Sequence, residues 1–133
     1  MMPAGKYYIG DLCYVMRDVW EEFCDLTIKG HECLSGEFQL KDGRRFATYS
    51  TKYGDGLYET NTGDKLSVDA GLIGCILVSD ITDPEATPAA IKSLGMTYDF
   101  GTDFVTDGST FSGTIQFGRV LVETGDYLSE EDI

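Results

Sequence analysis

The chain has 133 residues, of which 23 are acidic and 10 are lysine or arginine, so its formal net charge is −13. This length fits one domain of ordinary size, and a hydrophobic content of 42% excludes a disordered chain. No apolar run reaches the roughly 18 residues that a membrane-spanning helix needs. We predict a single globular domain over residues 1–133, with a tail that frays from about residue 125.

The acidic residues are concentrated in the second part of the chain. Residues 1–52 hold seven bases and eight acids, whereas residues 53–133 hold three bases and fifteen acids. One interpretation is a solvated surface that maintains solubility, and the other is an electronegative face that docks on a basic partner. Such a field repels nucleic acid and anionic lipid, so we expect no direct binding to DNA, RNA or a membrane.

The first ten residues contain one lysine and no long apolar stretch, so we expect no secretory signal and a cytoplasmic location. The four cysteines are then expected to be reduced: Cys13, Cys24, Cys33 and Cys75. Cys24, His31 and Cys33 lie close in sequence, but their spacing matches no standard zinc module. His31 is the only histidine, which excludes a multi-histidine metal site within one chain. We predict no metal and no cofactor.

The N-terminal part predicts a strand and then a helix. Residues 7–15 are typical of a strand that is interrupted at Gly10. Asp18 and Glu21 have the spacing of a capping box, and apolar residues recur at helical spacing behind them. The predicted helix covers residues 19–29, has Trp20 as its core anchor and ends at Gly30.

Turn signals between short apolar segments predict two hairpins after residue 36. The first turns at Asp42-Gly43, and the second turns over residues 61–64. The paired segments are residues 37–40 with 44–51, and residues 57–60 with 65–68.

Residues 71–79 form a near-continuous apolar run, which predicts a central strand buried on both faces. Gly74 in this run indicates a bulge or a close neighbouring backbone. A helix start at Thr87-Pro88 then predicts a short helix over residues 88–94, with the glycine that follows as its stop.

A third hairpin is predicted from residues 96–106 and 111–124, with its turn at residues 107–110. Alternation along its first strand places Phe100, Thr102 and Phe104 on one face, and Asp99, Asp103 and Asp107 on the other. The whole pattern predicts an α+β fold: a strongly bent antiparallel sheet or partial barrel, with one N-terminal helix and one short later helix.

Three short motifs are spread along the chain: IGDLCYV at residues 9–15, YGDGLY at residues 53–58 and VDAGLIG at residues 68–74. Their order resembles a group of small uncharacterised proteins from bacteria and phages, with the motifs I-G-D-P-C-Y-V, Y-G-D-G-x-Y and V-D-x-G-x-I-G. Leu12 stands where that group has proline. The resemblance implies a compact β-rich domain without a known activity, and it associates the chain with phage–host conflict.

The segment from Tyr53 to Tyr58 has two interpretations. Its glycines and its aspartate favour a turn between strands. In the alternative, Gly54 and Gly56 let the backbone approach a ligand beside Asp55, and Tyr53 or Tyr58 stacks on a ring of that ligand. The segment lacks the phosphate-binding signature of a P-loop.

Three aspartates, Asp11, Asp55 and Asp69, each lie beside or near a glycine in the three motifs. If the motifs converge in space, these carboxylates could bind a divalent ion or act as an acid–base pair. Separate Asx turns explain each aspartate equally well.

The acidic strand is the last candidate site. Successive carboxylates of Asp99, Asp103 and Asp107 would lie about 13 Å apart on a straight strand. Mimicry of nucleic acid would need further acids on the same side, since DNA carries about one charge per 1.7 Å of axis. Those available are Glu123, Asp126, Glu130, Glu131 and Asp132. We assign the predicted partner-binding surface to Asp99, Asp103, Asp107, Glu123 and Asp126.

These observations lead to three hypotheses. The first is a non-enzymatic acidic protein of phage type, which inhibits a basic, nucleic-acid-binding host defence protein in the manner of an anti-CRISPR. The second is a binder, or sponge, of a nucleotide signal that uses the turn at residues 53–58 with Arg44 or Arg45 in its lining. The third is a metal-dependent hydrolase that uses Asp11, Asp55 and Asp69.

Overall fold

A computed structural model describes residues 1–125, which form an α+β arrangement of mostly antiparallel strands with two α-helices. This confirms the predicted fold class, and the described sheets are open rather than closed into a barrel. The fraying that the sequence predicts from about residue 125 concerns residues 126–133, which lie outside the described part. No helix within residues 1–125 combines the length and the hydropathy needed to cross a bilayer.

The strands and helices of the described residues are short. The strands are β1 (Gly5–Gly10), β2 (Ile28–Lys29), β3 (Glu32–Cys33), β4 (Gly36–Gln39), β5 (Arg45–Ser50), β6 (Gly56–Glu59), β7 (Lys65–Val68), β8 (Leu72–Leu77), β9 (Met96–Phe100), β10 (Thr106–Gly108), β11 (Thr114–Phe117) and β12 (Val120–Glu123). The α-helices are α1 (Trp20–Thr27) and α2 (Pro88–Leu94), and single-turn 3-10 helices lie at Leu12–Tyr14, Arg17–Val19 and Val78–Asp80.

Five strands form the main sheet, in the antiparallel order β4-β5-β8-β1-β9. The predicted central strand is confirmed, because β8 lies in the middle of this sheet between β5 and β1. Gly74 of β8 allows the predicted close approach of backbone, since a Cβ atom there would lie 2.3 Å from the carbonyl oxygen of Ala47.

The main sheet carries a hydrophobic core on each face. Alternation along β1 turns Tyr7 and Ile9 to the first face and Tyr8 to the second. The β6–β7 hairpin and the three-stranded sheet β10-β11-β12 pack on the first face, whereas α1 and α2 cover the second. One sheet therefore separates a β-covered core from a helix-covered core.

The two predicted hairpins after residue 36 are confirmed as β4–β5 and β6–β7. Their registers place Phe38 opposite Phe46 and Tyr58 opposite Leu66, so apolar side chains meet on the buried faces. The predicted helix over residues 88–94 is also confirmed as α2, and the Thr87 hydroxyl caps it by accepting a hydrogen bond from a backbone N–H.

The predicted strand over residues 7–15 is wrong beyond Gly10. The Asp11 carboxylate accepts a hydrogen bond from the backbone N–H of Cys13 at 2.9 Å, and this bond starts a 3-10 helix where the sequence indicated further strand. Leu12 occupies the first position of that helix, so the turn forms here without the proline of the resembling group.

The first helix is shorter than residues 19–29. The predicted cap, Asp18, lies in the preceding 3-10 helix and accepts a hydrogen bond from Thr82 instead. The helix ends at Thr27, and Gly30, with φ +63°, serves the turn between β2 and β3. Trp20 is half-buried and stacks on Phe23, which is the fully buried anchor of α1.

The third predicted hairpin, residues 96–106 with 111–124, is confirmed only at its inner end, where Thr106 of β10 pairs with Phe117 of β11, and is wrong for residues 96–105. β9 pairs with β1, while β11 pairs with β10 and β12. On a straight strand the rings of Phe100 and Phe104 would lie about 13 Å apart, yet both are buried and stack with centroids 3.7 Å apart. The chain must loop between them, so Asp99, Asp103 and Asp107 do not share one strand.

All four cysteines of the described residues are free thiols that differ in exposure. Cys33 is exposed, Cys13 and Cys24 are half-buried and Cys75 is buried, and burial raises the pKa of Cys75. We expect denatured, unreduced protein to yield four thiols. In the native protein a thiol reagent should modify Cys33 first and Cys75 last, because only the thiolate at an accessible position reacts. Alkylation followed by peptide mass spectrometry measures both, and modification of Cys75 as early as Cys33 would contradict this order.

Candidate functional site

An open groove of about 520 Å³ lies where the loop after β9 meets the turn between β11 and β12. Two carboxylates, one guanidinium and one amide contribute to its lining, together with backbone and aromatic edges. The side chains that matter for its chemistry are Asp99, Thr102, Asp103, Gln116 and Arg119.

Stacked aromatic rings form the base of this groove. Phe100 and Phe104 stack on each other, and the Tyr7 ring meets them edge-on at centroid distances of 5.7 and 4.9 Å. Gly118 of the β11–β12 turn packs on the stack in the left-handed region, with φ +56°. A Cβ atom at Gly118 would lie 2.9 Å from the Phe100 ring, so the close approach of the two walls requires glycine there.

Two of the predicted partner-binding acids, Asp99 and Asp103, lie on the wall formed by β9 and its loop. Asp99 is exposed on β9, opposite Lys6 of β1. Asp103 is exposed in the loop, and one of its carboxylate oxygens accepts a hydrogen bond from the backbone N–H of Ala4 at 2.9 Å. This bond holds the loop against the N-terminal segment, and the second oxygen of Asp103 accepts no hydrogen bond from the described residues.

The carboxylates of the groove are not neutralised by ion pairs within residues 1–125. Arginine–carboxylate pairs in that part involve Arg17, Arg44 and Arg45, which lie elsewhere in the fold. Arg119 lines the groove, but within the same residues its side chain forms no ion pair with Asp99 or Asp103. The lining of the groove therefore carries two negative charges and one positive charge, and the exposed Lys6 lies across from Asp99 on β1.

The remaining predicted acids continue this surface along the small sheet. Asp107 pairs with Gln116 across β10 and β11, so both side chains point to the outward face of that sheet. Glu123 pairs with Thr114 on the same face and accepts a hydrogen bond from its hydroxyl at 3.2 Å. Asp126, the fifth predicted acid, lies outside the described residues.

The acidic groove is thus the surface lined by Asp99, Asp103, Gln116 and Arg119, and Asp107 and Glu123 lie on the outward face of the small sheet to which Gln116 belongs. Pairing of β10 with β11 places Asp107 opposite Gln116, whereas the sequence pattern predicted a single long strand. Gln116 and Arg119 were not singled out from the sequence. The turn at Phe117-Gly118 is the sequence signal that indicates their position at a strand end.

The turn at residues 53–58 is stabilised by its own side chains. The Tyr58 ring is 5% exposed, and its hydroxyl donates a hydrogen bond to the carbonyl oxygen of Gly54 at 2.9 Å. The Thr51 hydroxyl donates to the same oxygen at 2.7 Å, and Gly54 has φ +73°. Tyr53 is 48% exposed, with the Lys52 ammonium 5.7 Å from its ring centroid. Of the two tyrosines predicted to stack on a ligand, Tyr58 is buried and anchors the turn.

The three sequence motifs do converge, through a buried carboxylate. Asp11 is fully buried, and it accepts hydrogen bonds from the backbone N–H groups of Cys13, Asp69 and Ala70 at 2.9, 2.8 and 2.6 Å. A Cβ atom at Gly71 would lie 3.9 Å from a carboxylate oxygen of Asp55, which brings the third motif alongside. Asp11 thus holds the start of the motif at residues 68–74 against the end of β1.

This convergence does not build a metal site. The Asp69 carboxylate is exposed and accepts a hydrogen bond from the Tyr14 hydroxyl at 2.6 Å, and burial together with this carboxylate raises the pKa of Tyr14. Within residues 1–125, no three histidine, cysteine, aspartate or glutamate side chains are placed to hold a metal ion. The geometry gives no support to a hydrolase built on Asp11, Asp55 and Asp69.

Comparison of the chain with protein-family models, with curated proteins and with solved structures found no match. The functional assignment therefore depends on the geometry and the charges of the acidic groove.

Proposed function

We propose that the chain is a non-enzymatic binding protein whose acidic groove docks a basic segment of a protein partner. The observation that carries this proposal is the open groove of about 520 Å³ whose wall holds two carboxylates that form no ion pair within residues 1–125. A lysine or arginine side chain entering the groove would gain charge-assisted hydrogen bonds from Asp99 and Asp103. The aromatic edges beneath them suit the aliphatic part of such a side chain.

The surface extends beyond the groove in a way that suits a peptide segment rather than a single residue. Asp107 and Glu123 continue the negative charge along the outward face of the small sheet. Charges at such exposed positions chiefly accelerate association with an oppositely charged partner. The net charge of −13 acts in the same direction, because it steers a basic protein toward the chain from a distance.

A basic, nucleic-acid-binding host protein is the partner class we propose, with inhibition as the outcome. Such a protein presents lysine and arginine side chains at the spacing of phosphates, and an acidic groove competes for them. The phage-type, anti-CRISPR-like version of this function, and action in the cytoplasm, are supported by the motif resemblance and by composition alone.

The nucleotide-sponge hypothesis finds less support in the described contacts. Arg44 is bonded to Asp42, to the carbonyl oxygen of Asp80 and to Thr82. Arg45 is bonded to Glu37 and to the carbonyl oxygen of Met1. With these guanidinium groups engaged elsewhere, neither Arg44 nor Arg45 is directed toward a phosphate at the turn of residues 53–58.

The test is removal of charge from the groove and from the sheet face beside it. The triple variant Asp99→Asn, Asp103→Asn, Asp107→Asn keeps side-chain size and removes three charges. We expect its affinity for an arginine-rich nonapeptide, and for the basic protein that a bacterial-lysate pull-down recovers, to fall about tenfold at roughly 20 mM salt. The loss should shrink near 150 mM salt, where exposed charges are screened over about 8 Å. Isothermal titration calorimetry at the two salt concentrations measures both affinities.

A matched control separates the groove from the overall charge. The variant Glu21→Gln, Asp25→Asn, Glu32→Gln removes three exposed charges from α1 and β3, away from the groove. It should bind nearly as wild type does. Equal losses in the two triple variants would show that only net charge matters, and wild-type affinity in the groove variant at both salt concentrations would reject the groove as a docking site.

A further inference from the structure

A second, smaller cavity of about 110 Å³ lies between α1, the β2–β3 hairpin and the main sheet. It is on the helix-covered face of the main sheet, whereas Phe100 and Phe104 of the acidic groove belong to the core on the other face. Its lining contains no charged residue. Trp20 and Phe23 form its aromatic wall, and Ile28 and Leu34, which are 43% and 37% exposed, lie at its rim. The cavity is thus mainly apolar and opens beside exposed apolar side chains.

One polar group in the lining is left without a bond. Thr48 is 2% exposed, and its hydroxyl oxygen has no hydrogen-bond partner among residues 1–125. The other buried threonine of the lining, Thr27, donates its hydroxyl to the carbonyl oxygen of Phe23 at 2.9 Å. Buried hydroxyls are generally bonded, so the Thr48 side chain requires a separate explanation.

The strand register explains why the space exists beside Thr48. On β5 this residue lies between Gly36 of β4 and Gly74 of β8, so neither neighbouring strand provides a side chain next to it. Leu12 fills the Gly74 side, where a Cβ atom would lie 2.6 Å from its methyl group. At Gly36 a Cβ atom would meet nothing within 4 Å, so that side is open.

We propose that this cavity binds a small neutral ligand: a single ring or a branched alkyl group that carries one hydroxyl or carbonyl oxygen bonded to Thr48. Its volume is of the order of the roughly 150 Å³ cavity that admits a benzene ring. An uncharged lining excludes a charged ligand, because a charge buried without a partner is strongly disfavoured. The Thr48 hydroxyl selects among neutral molecules, since it can donate to a carbonyl or exchange a hydrogen bond with a hydroxyl.

Cyclohexanol is a suitable probe, because it has the required ring and hydroxyl and does not absorb where tryptophan is excited. Trp20 is the only tryptophan, so its fluorescence reports directly on the cavity wall. We expect a saturable change with a dissociation constant in the millimolar range, as suits about seven heavy atoms. Cyclohexanol should also slow thiol labelling of Cys33, which lies in the lining and is exposed.

Substitution of Thr48 tests the role of the hydroxyl. Thr48→Val keeps the shape and should weaken cyclohexanol binding about tenfold, while Thr48→Ser should retain the wild-type affinity. Without the probe, Thr48→Val should be at least as stable as wild type, because the group it removes has no partner among residues 1–125. Thr97→Val on β9, at the other edge of the main sheet, is the matched control and should bind as wild type does.

The outcomes separate the proposal from its alternatives. No saturable response of Trp20 up to about 50 mM cyclohexanol, far above the expected millimolar constant, would mean that the cavity holds water only and would overturn the proposal. Equal affinity in the wild type and in Thr48→Val would overturn it too, since binding would then be purely apolar. If Thr48→Val does not fold, Thr48→Ala compared with Thr48→Ser provides the same measurement.

Discussion

Replacement of Asp11 by alanine is expected to lower the free energy of unfolding by about 4 kcal/mol, because three backbone N–H groups lose their bond to a buried carboxylate at once. A hydrogen bond to a charged group contributes about 1.5–3 kcal/mol, and these three lie where the 3-10 helix at Leu12–Tyr14 meets the segment that follows β7. A domain of this size has only about 5–15 kcal/mol of stability in total. Much of the variant should therefore be unfolded at mild urea concentrations.

Urea unfolding followed by circular dichroism measures this loss, and two variants sharpen it. Asp11→Asn keeps one acceptor oxygen and should lose about half as much as the alanine variant. Asp69→Ala is the matched control from the same cluster, because it removes an exposed carboxylate whose one hydrogen bond within residues 1–125 comes from the Tyr14 hydroxyl. It should cost less than about 1 kcal/mol. A similarly small loss for Asp11→Ala would contradict the assignment of Asp11 as the link between motifs.

Gly74→Ala is expected to destabilise the protein by at least about 3 kcal/mol, although it adds a single methyl group. The added carbon would lie 2.3 Å from the Ala47 carbonyl oxygen and 2.6 Å from a Leu12 methyl group. A side chain can move aside, but the Ala47 oxygen belongs to β5, which pairs with β8 at the centre of the main sheet. Relief of the clash would separate two central strands.

Gly101→Ala is the matched control for this prediction. Nothing lies within 4 Å of a Cβ atom there, and the backbone is outside the left-handed region. Its free energy of unfolding should stay within about 0.5 kcal/mol of that of the wild type. The double variant Gly74→Ala, Leu12→Ala tests the cause, since it removes the side-chain clash and leaves the backbone clash. If Gly74→Ala costs nothing when it is measured against Leu12→Ala alone, the assignment of the main cost to backbone is contradicted.

Local signals were sufficient for the elements whose pairing is local. The turns at Asp42-Gly43 and over residues 61–64 join neighbouring strands, so turn chemistry alone predicted β4–β5 and β6–β7. The apolar run at residues 71–79 likewise predicted a central strand, because only a strand buried on both faces tolerates such a composition.

The C-terminal part could not be predicted in this way. Alternation over residues 96–106 is as regular as in a true strand, but β9 ends at Phe100. Its pairing with β1 stops there, and the chain then bends so that Phe104 stacks on Phe100. These are contacts between residues distant in sequence. Asp107 and Glu123 lie on the small sheet, whereas Asp99 and Asp103 belong to β9 and the loop after it, so a common partner-binding surface for these acids stays a prediction.

The candidate sites were harder to predict than the strands, because their geometry depends on the register in which distant strands pair. The sequence suggested a convergence of Asp11, Asp55 and Asp69, but it could not show that both oxygens of Asp11 accept hydrogen bonds from backbone N–H groups. The pairing of Thr48 with two glycines is likewise a property of three strands aligned together. A shift of one residue in either pairing would turn Thr48 away from those neighbours.

The position of β1 inside the main sheet has a consequence for how the protein is made. During translation β1 emerges long before its partner strands. Ile9, for example, can pair only after Cys75 of β8 and Met96 of β9 have been synthesised. The two hairpins β4–β5 and β6–β7 can form while the ribosome is still synthesising residues 72–100, but the apolar Tyr7-Tyr8-Ile9 segment has no edge to join until then. The pairing of β1 with strands distant in sequence favours slow folding, because the first strand to be made pairs only after β8 and β9 have been synthesised.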